Sequence, residues 1–380
     1  MAQKNLKILL VTVFTAILLF FFIPGKFQPS ISQKSSKEKN LVLLRDVAEL
    51  IRDFYVETPN PTKTMKGAFR GLIGPLDPLS SYLDPQSASK FKSLGSAKFM
   101  ETGIVVFKKF GTYPVVIGVK EDSPAEKAGI KVGDALSEMD GQPLLMMSML
   151  ETNLYLKDTE EGSAKLKVLR RDTSDEMDVE RKNLHDSPFT YKPLQNTNGI
   201  LKIHHFFPPC TDMIKEELAI RMKSQKIPLI IDFRNCYEGE IREALHFTNL
   251  FLRTDNAGYF QDKDGAKEQL SCLEEPTAQD LPLILWTNSA TIGPAEVVTG
   301  LLKEFHKAHI IGTKTPGLVA KQSFFPLEDG SGLLLTSGIF YLSDGKEMWQ
   351  KGIAPDEKIE EKDPSTDLYL KNTYKLLPKT

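Results

Sequence analysis

One stretch of this 380-residue chain carries hydroxyl and amine side chains that could perform nucleophilic chemistry. Ser289 and Thr291 supply the hydroxyl groups, and Lys314 and Lys321 supply amines further along the chain. A hydroxyl becomes a nucleophile when a neighbouring amine, kept neutral in a dry site, accepts its proton. Because catalysis tolerates misplacement of only about an ångström, these residue types form a pair only if the fold brings them together.

A thiol offers a second chemistry. Cys236 precedes a predicted helix that starts near Glu240, and a helix N-terminus can lower the pKa of a thiol. His204 and His205 end a strand that should lie beside it, so a cysteine–histidine pair is an alternative nucleophile. Against it stand the common role of cysteine as a small buried hydrophobe and the carboxylate of Glu238, which would oppose a thiolate.

The remaining cysteines and histidines predict no bound group. Cys210, Cys236 and Cys272 are odd in number and scattered, so at most one structural disulfide is possible. The other histidines lack metal-ligand spacing; they are His185, His246, His306 and His309. No metal or other cofactor is implied. The near-neutral charge balance, −2 overall, offers no electrostatic case for nucleic acid.

The stretch from Leu283 to Gln322 resembles the catalytic segment of the carboxyl-terminal processing (tail-specific) serine peptidases, family S41, which pair a serine with a lysine. It aligns without a gap, with anchors at Asn288, Glu296, the Gly312–Thr315 run, Gly317 and Gln322. The resemblance places Gly293 where the family has its nucleophilic serine and Leu318 where it has its lysine base. Gln322 takes the position of the glutamine that orients that lysine.

A third departure lies in residues 231–239, which resemble the family's D-L-R-N-N-P-G-G turn. The first glycine of that turn helps to form the oxyanion hole, and here it is Glu238. Glycine suits a backbone that approaches a substrate closely, and a carboxylate would repel a developing oxyanion. Glycine at 293 has no atom to attack with and leucine at 318 has no lone pair. Removing one member of such a unit typically costs about a million-fold in turnover, so we expect no catalytic residues.

Two further segments extend the resemblance. Leu76–Pro85 resembles the family's L-D-P-H-S-S-Y-L-D-P motif and differs only at Leu79. Lys351–Asp356 resembles its closing K-G-I-x-P-D. The resemblance therefore covers nearly everything from Leu41 to the end of the chain.

Residues from about 103 to 179 resemble a PDZ domain. In the run 123–134 (SPAEKAGIKVGD), Ser123 and Pro124 are expected to start a short helix and Gly129 to end it. Asp140-Gly141 predicts a tight hairpin turn.

The PDZ resemblance implies a peptide-binding groove. Gly103, Ile104 and Val105 take the place of the loop whose amides hold a peptide's terminal carboxylate, although Val105 departs from the family's G-I-G. Leu150 and Leu154, on a helix predicted from 150 to 156, would line the groove. A peptide would bind there by strand addition, and a purely structural module is the alternative.

The N-terminus predicts membrane anchoring. An apolar run from Ile8 to Ile23 follows Lys4 and Lys7. It is slightly short for a spanning helix of about 20 residues and long for a signal-peptide core of about 7–15. Because no small-residue cleavage site follows it, we favour an uncleaved signal anchor over a cleaved signal. The body is then expected outside the bacterial inner (cytoplasmic) membrane, in the periplasm or extracytoplasmic space.

The expected fold class is α/β (α+β), with alternating strands and helices favouring a parallel sheet in the second half. The predicted strands there are 199–206, 227–233, 281–286 and 308–311, and the predicted helices are 212–223, 240–252 and 294–305. Further helices are predicted at 41–56, 64–73 and 367–377, and a hairpin is predicted from 332–336 and 338–341.

The resemblance divides the chain into a signal anchor, a linker, an N-terminal helical segment, a PDZ domain, a ClpP/crotonase-like α/β peptidase core and a C-terminal helix. We expect them at 1–26, 27–40, 41–95, 96–182, 183–358 and 359–380, respectively.

Three functions follow as hypotheses. The favoured one is an exported, membrane-anchored pseudopeptidase that binds protein C-terminal peptides and acts as adaptor or regulator, with an active peptidase relative or a second copy of itself as further partner. The second is an active serine-type endopeptidase that uses displaced residues. The third is a structural subunit without peptide binding.

Overall fold

The computed structural model describes residues 36–93, 99–158, 161–171, 173–184, 187–222, 224, 226–360 and 365–377. The predicted signal anchor, most of the predicted linker and His185 lie outside the described residues. Within those ranges, none of the helices combines the length and the hydropathy needed to cross a bilayer.

The chain divides into two compact units, and the first ends at Pro61. Its described part is helix α1, Ser36–Phe54, which begins earlier than the predicted 41–56. Most of the large apolar side chains of α1 are exposed to solvent. The second unit contains everything from Thr62 onward.

The second unit opens with helix α2 (Pro61–Ile73, whose first residue closes the preceding unit), strand β1 (Ser81–Leu83) and helix α3 (Pro85–Ser93). The Asp77 carboxylate ties this segment together, since it accepts hydrogen bonds from the N–H groups of Leu79 (2.8 Å) and Ser80 (2.7 Å). It also accepts one from the Thr336 hydroxyl at 3.1 Å. The Leu76–Pro85 motif is thus bonded to the second sheet of the core, described below, in which β1 is a strand.

The expected PDZ fold follows. Its strands are β2 (Met100–Glu101), β3 (Ile104–Phe107), β4 (Val115–Val119), β5 (Ala135–Met139), β6 (Gln142–Pro143), β7 (Lys157–Asp158), β8 (Gly162–Arg170) and β9 (Thr173–Arg181), and its helices are α4 (Pro124–Lys127) and α5 (Met149–Leu156). An antiparallel sheet runs in the order β3-β4-β5-β8-β9, while β2 pairs with β7. The predicted cap and turn are confirmed: Ser123 accepts the Glu126 N–H, and Asp140 and Gly141 both have positive φ.

The core is a six-stranded sheet. Its strands are β10 (Phe189–Lys192), β11 (Ile200–Ile203), β12 (Leu229–Asp232), β15 (Leu283–Thr287), β16 (Ala308–Gly312) and β19 (Glu357–Lys358), in that order. All neighbours are parallel except β10 and β11, which confirms the predicted parallel arrangement. The connecting helices are α6 (Cys210–Arg221), α7 (Ile241–Asn249) and α8 (Pro294–Glu304).

Helices cover both faces of this sheet. Leu229 and Ile231 pack with side chains of α6, α7 and α8, whereas Ile230 between them packs on the opposite face. That second face is closed by α9 (Thr366–Leu376), where Trp286 Nε1 donates to Thr373 Oγ1 at 2.9 Å. A continuous apolar run such as 229–231 is typical of a strand buried on both faces.

A second sheet of the core corrects one prediction. Strand β18 runs unbroken through Gly332–Tyr341, so the predicted hairpin within that stretch is wrong. The hairpin is instead formed by β18 with β17 (Ala320–Pro326), and β18 also pairs with β1 and with β13 (Tyr259–Gln261), which pairs with β14 (Lys267–Gln269). Gly338, at the start of the second predicted strand, lies opposite Lys321 on the neighbouring strand.

Leu154 joins the PDZ fold to the N-terminal segment, because it packs against Leu83 and Ala88 and is only 3% exposed. We expect Leu154→Ala to lower the free energy of unfolding by about 2–5 kcal/mol, through lost burial and the cavity left behind. The exposed Met146 supplies the control, since Met146→Ala should stay within about 0.5 kcal/mol of the parent protein. Urea denaturation measures both, and equal effects would show that the contact contributes little.

Candidate active site

Gly293 lies at the carboxyl end of the parallel sheet, directly before α8. Its φ is +61°, a conformation that glycine adopts readily. A Cβ atom placed there would have one neighbour within 4 Å, the carbonyl oxygen of Leu318 at 3.9 Å. The two positions that the sequence singled out are therefore adjacent in space, and the Leu318 side chain is buried. Between them they present backbone and hydrocarbon.

The fully buried Glu296 organises this pocket. Its carboxylate accepts the N–H groups of Gly293 (3.2 Å), Gly317 (2.6 Å) and Leu318 (2.8 Å). Burial raises the pKa of Glu296 to about 7, against the opposing effect of these hydrogen bonds and of the Thr315 hydroxyl. Because one carboxyl group bonds both segments, Glu296 holds the 315–318 loop against the start of α8.

The other hydroxyls and amines are engaged elsewhere. Thr291 is buried, and its hydroxyl donates to the Phe233 carbonyl and accepts from the Asn288 N–H, both at 2.9 Å. Lys321 is exposed on β17 and pairs with Glu268, and Lys314 is exposed as well. The structure thus draws both amines into solvent, away from buried Leu318. Ser289 is half-buried in the turn before α8.

Gln322 does not contact a base. Its side-chain amide donates to the Leu79 carbonyl at 2.8 Å, and the residue itself is exposed. This contact ties β17 to the Leu76–Pro85 motif at the one position, Leu79, where that motif departs from the family pattern.

The cysteine–histidine alternative loses support on electrostatic grounds. Cys236 is fully buried, and burial raises the pKa of its thiol well above the ordinary value. Burial likewise lowers the pKa of His205, whose Nδ1 accepts the Phe207 N–H at 3.2 Å. Cys210 and Cys272 are also buried free thiols, with pKa values raised to about 12 by burial. At neutral pH these thiols are protonated and weakly nucleophilic.

Glu238, which the resemblance predicts at the position of the family's oxyanion glycine, lies in the turn after β12, and its carboxylate forms an ion pair with Lys157 of strand β7. Burial disfavours the Lys157 ammonium, but the Glu238 and Glu101 carboxylates more than offset that effect and raise the pKa of Lys157. This ion pair is surrounded by Glu101, Lys120 and Tyr237. The sequence singled out neither these three residues nor Lys157. Nothing in the local pattern could have identified them, because the four residues come from four separate segments.

A second polar seam joins the PDZ fold to the core turn. Asn235 donates from its side-chain amide to the Val119 carbonyl at 2.9 Å and accepts from the Asn288 side chain at 2.9 Å. Any side chain at Gly118 would collide with Asn235 and Ala290, so β4 lies directly against the ends of β12 and β15.

Charged side chains extend this seam. Glu121, after β4, pairs with Lys202 (2.8 Å) and Arg234 (3.3 Å). Burial tends to raise the pKa of the Glu121 carboxyl, but these two cations hold it below its usual range. Asp232 is fully enclosed with Arg234 and has a lowered pKa for the same reason. The PDZ fold therefore covers the carboxyl end of the sheet, where Gly293 and Glu238 lie.

The predicted peptide-binding residues are enclosed in this structure. Gly103, Ile104 and Val105 are all buried, and a side chain at Gly103 would collide with Ser123. Leu150 is partly buried against the cluster of Leu83, Ala88 and Leu154, so the outer face of α5 packs on the N-terminal segment. Strand β3 is nevertheless an edge strand among the described residues, with β4 on one side.

Comparison with known proteins agrees with this geometry. The pattern of Peptidase family S41 matches residues 197–359, and the pattern of the PDZ domain matches residues 93–180. The carboxy-terminal processing protease CtpA of Bacillus subtilis (strain 168) is 27% identical over 383 residues, covering 98% of this chain and 82% of that protein. A probable CtpA-like serine protease of Staphylococcus aureus (strain MRSA252) is 25% identical over 355 residues, covering 93% of this chain and 71% of that one.

Among solved structures, the photosystem II D1 C-terminal processing protease superimposes with a TM-score of 0.67 over 88% of this chain and 91% of that one. Its sequence identity is 19%, so the likeness concerns the fold. Fold and site together define a protein with a peptidase framework and a PDZ domain. Residues 197–359 carry the pattern of Peptidase family S41 and residues 93–180 that of a PDZ domain, and the chain is similar over most of its length to carboxy-terminal processing proteases.

The raised pKa of Glu296 predicts a pH-dependent stability. The folded-state pKa of Glu296 lies above the ordinary value of 4.5. The contribution of the Glu296 carboxyl to the free energy of unfolding is therefore fully present below about pH 4.5 and is lost as the pH rises through 7. The loss is at most about 3 kcal/mol, at 1.36 kcal/mol per pKa unit. We expect Glu296→Gln to weaken the fall in unfolding free energy between pH 5 and pH 8, measured by urea denaturation. The exposed Glu328 provides the control, since the unfolding free energy of Glu328→Gln should depend on pH as in the parent chain. The same pH dependence in Glu296→Gln would refute the assignment of this effect to Glu296.

Proposed function

We propose that this S41 family chain is an exported, membrane-anchored pseudopeptidase that binds protein C-termini instead of cleaving them, and so acts as an adaptor or regulator. The observation that carries the proposal is the pocket formed by Gly293 and Leu318, which presents no nucleophile and no base. The apolar run from Ile8 to Ile23, behind two lysines, supports the anchoring and the external location of the body.

The surroundings of the pocket support inactivity further. The Thr291 hydroxyl is committed to two backbone partners, and Lys321 pairs with Glu268 at the surface. Glu238 adds a carboxylate where a developing oxyanion would need hydrogen-bond donors. A pair that used Thr291 or Lys321 would have to break these contacts before it could form, and Lys314 is exposed, away from the buried Leu318.

We expect the purified chain to show no hydrolysis of an unstructured protein substrate above the buffer background, measured by mass spectrometry of the products. A triple variant, Gly293→Ser/Leu318→Lys/Glu238→Gly, should gain measurable cleavage, because a Cβ atom at position 293 meets no atom closer than 3.9 Å, although the φ of +61° adds backbone strain to the serine. Cleavage by the unmodified chain that disappears in Ser289→Ala, Thr291→Ala or Cys236→Ala would establish the active-peptidase alternative instead.

Peptide binding is supported by the PDZ fold and by β3, whose outer edge is the place for an added strand. Main-chain hydrogen bonding of this kind depends on the backbone, so it survives the departure at Val105. The α5 side of the groove is in contact with the N-terminal segment, since Leu150 and Leu154 pack with Leu83 and Ala88, so a peptide would compete with this packing.

That same packing favours a second candidate function, a structural subunit in which α5 serves only to bind the chain's own N-terminal segment. Leu154 is 3% exposed, and the partly buried Phe91 of α3 packs on the same cluster. In this case the PDZ fold has an internal partner and takes no external peptide.

The two functions separate in a titration with a fluorescent peptide that ends in an apolar residue. We expect the free-acid peptide to bind at least about tenfold more tightly than the same peptide with a C-terminal amide, since the loop amides recognise a carboxylate. Phe91→Ala, which loosens the cover of α5, should strengthen binding. Equal, weak signals from both peptides in the parent chain and in Phe91→Ala would favour the structural subunit.

A further inference from the structure

Five side chains from the PDZ fold and the core meet at the turn that follows β12. Glu101, Lys120 and Lys157 come from the PDZ fold, and Tyr237 and Glu238 come from the turn. We call this group the turn cluster. It contains two cations and two anions, so its formal charges balance.

The contacts within the turn cluster form a closed set. Lys120 Nζ lies 2.7 and 2.9 Å from the two oxygens of Glu101. The Lys120 and Lys157 ammonium groups lie 5.3 and 5.4 Å from the centre of the Tyr237 ring, within the range of cation–π attraction. Lys157 donates to Glu238, and the Tyr237 hydroxyl lies 3.5 Å from Glu101 Oε2. Glu238 therefore contacts a cation of the PDZ fold, and Tyr237 contacts two PDZ cations with its ring and a PDZ carboxylate with its hydroxyl.

Burial makes these contacts strong. The side chains of Lys120 and Lys157 are 7% and 10% exposed, so salt screens them far less than it screens a surface pair. Removing one partner of a buried pair leaves the other charge without compensation, which is costly. Glu101 and Lys157 are also opposite each other in the β2–β7 ribbon, so the ribbon presents both signs of charge to the turn.

The turn itself folds without the Glu238 side chain. The Phe206 N–H donates to the backbone carbonyl of Glu238 at 2.8 Å, and the Glu240 N–H donates to the Phe206 carbonyl at 2.7 Å. The Cys236 N–H donates to the Phe233 carbonyl at 3.1 Å. Because backbone bonds shape the turn, the Glu238 carboxylate is left to act between the two parts of the protein.

We infer that Tyr237 and Glu238 make the turn after β12 a binding site for the PDZ fold of the same chain. The turn cluster holds the β2–β7 ribbon in one position over the carboxyl end of the sheet. Glu238, which stands where the resemblance predicts a glycine, thus also holds the PDZ fold that covers this turn. This role is independent of whether the chain cleaves or binds peptides.

Hydrogen–deuterium exchange followed by mass spectrometry tests the inference on the full chain. In Glu238→Gln and in Lys157→Met, we expect amide exchange in 233–240 and in 99–102 to rise about tenfold or more, since both segments lose a shared contact. Exchange in 163–170, inside the PDZ sheet, and in 283–287, inside the core sheet, should stay at the parent rate. Those two segments show directly whether a variant is folded.

The double variant Glu238→Gln/Lys157→Met decides whether the two residues act on each other. Coupled residues predict a rise no larger than that in either single variant, whereas independent residues predict the product of the two. Lys167→Met, which breaks a half-exposed ion pair with Glu138, is the matched control and should leave 233–240 unchanged.

Lys157→Arg keeps the positive charge, so amide exchange at 233–240 should stay as slow as in the parent chain. This comparison does not depend on the stability of Glu238→Gln. Parent-like exchange at 233–240 in Lys157→Met, with 163–170 and 283–287 intact, would overturn the inference. So would multiplicative effects in the double variant.

Discussion

The contact between the PDZ fold and the carboxyl end of the parallel sheet is the constraint on which the rest of the structure depends. The functional residues of a buried parallel sheet lie at one end of its strands. Strand β4 lies so close to that end that position 118 admits only glycine. The polar groups in such an interface must find partners because water is excluded. Asn235, Glu121 and Glu238 each find theirs across the interface, which explains why the turn after β12 is rich in charge and amide groups.

Within this arrangement one buried carboxyl group holds together the two segments that carry Gly293 and Leu318. Glu296 still ties the 315–318 loop to the start of α8 by three hydrogen bonds, so the backbone of a catalytic pocket is in place. A framework of this kind is stabilised by buried main-chain groups and owes little to the nucleophile or the base. The side chains at 293 and 318 can therefore differ from those of an active peptidase without loss of the fold.

Much of the fold was predictable because its signals are local. Buried runs such as 229–232, the Ser123 cap and the Asp140-Gly141 turn each depend on a few neighbouring residues, and the structure confirms them. The stretch 332–341 misled the prediction, since it forms one long strand that pairs with β17 along 332–339 and with β13 at 339–341. Strand pairing at that distance along the chain leaves no mark in the local pattern.

The sequence by itself determined the S41 and PDZ patterns, and with them the prediction that Gly293 and Leu318 stand at the nucleophile and base positions, because motif spacing is a property of the chain alone. Only the tertiary structure decided what Glu238, Gln322 and the face of α5 contact. Their partners, Lys157, Leu79 and Leu83, lie 81, 243 and 71 residues away along the chain, respectively. Ion pairs and packing between such distant segments arise from the folded geometry, and a one-dimensional pattern does not encode that geometry in readable form.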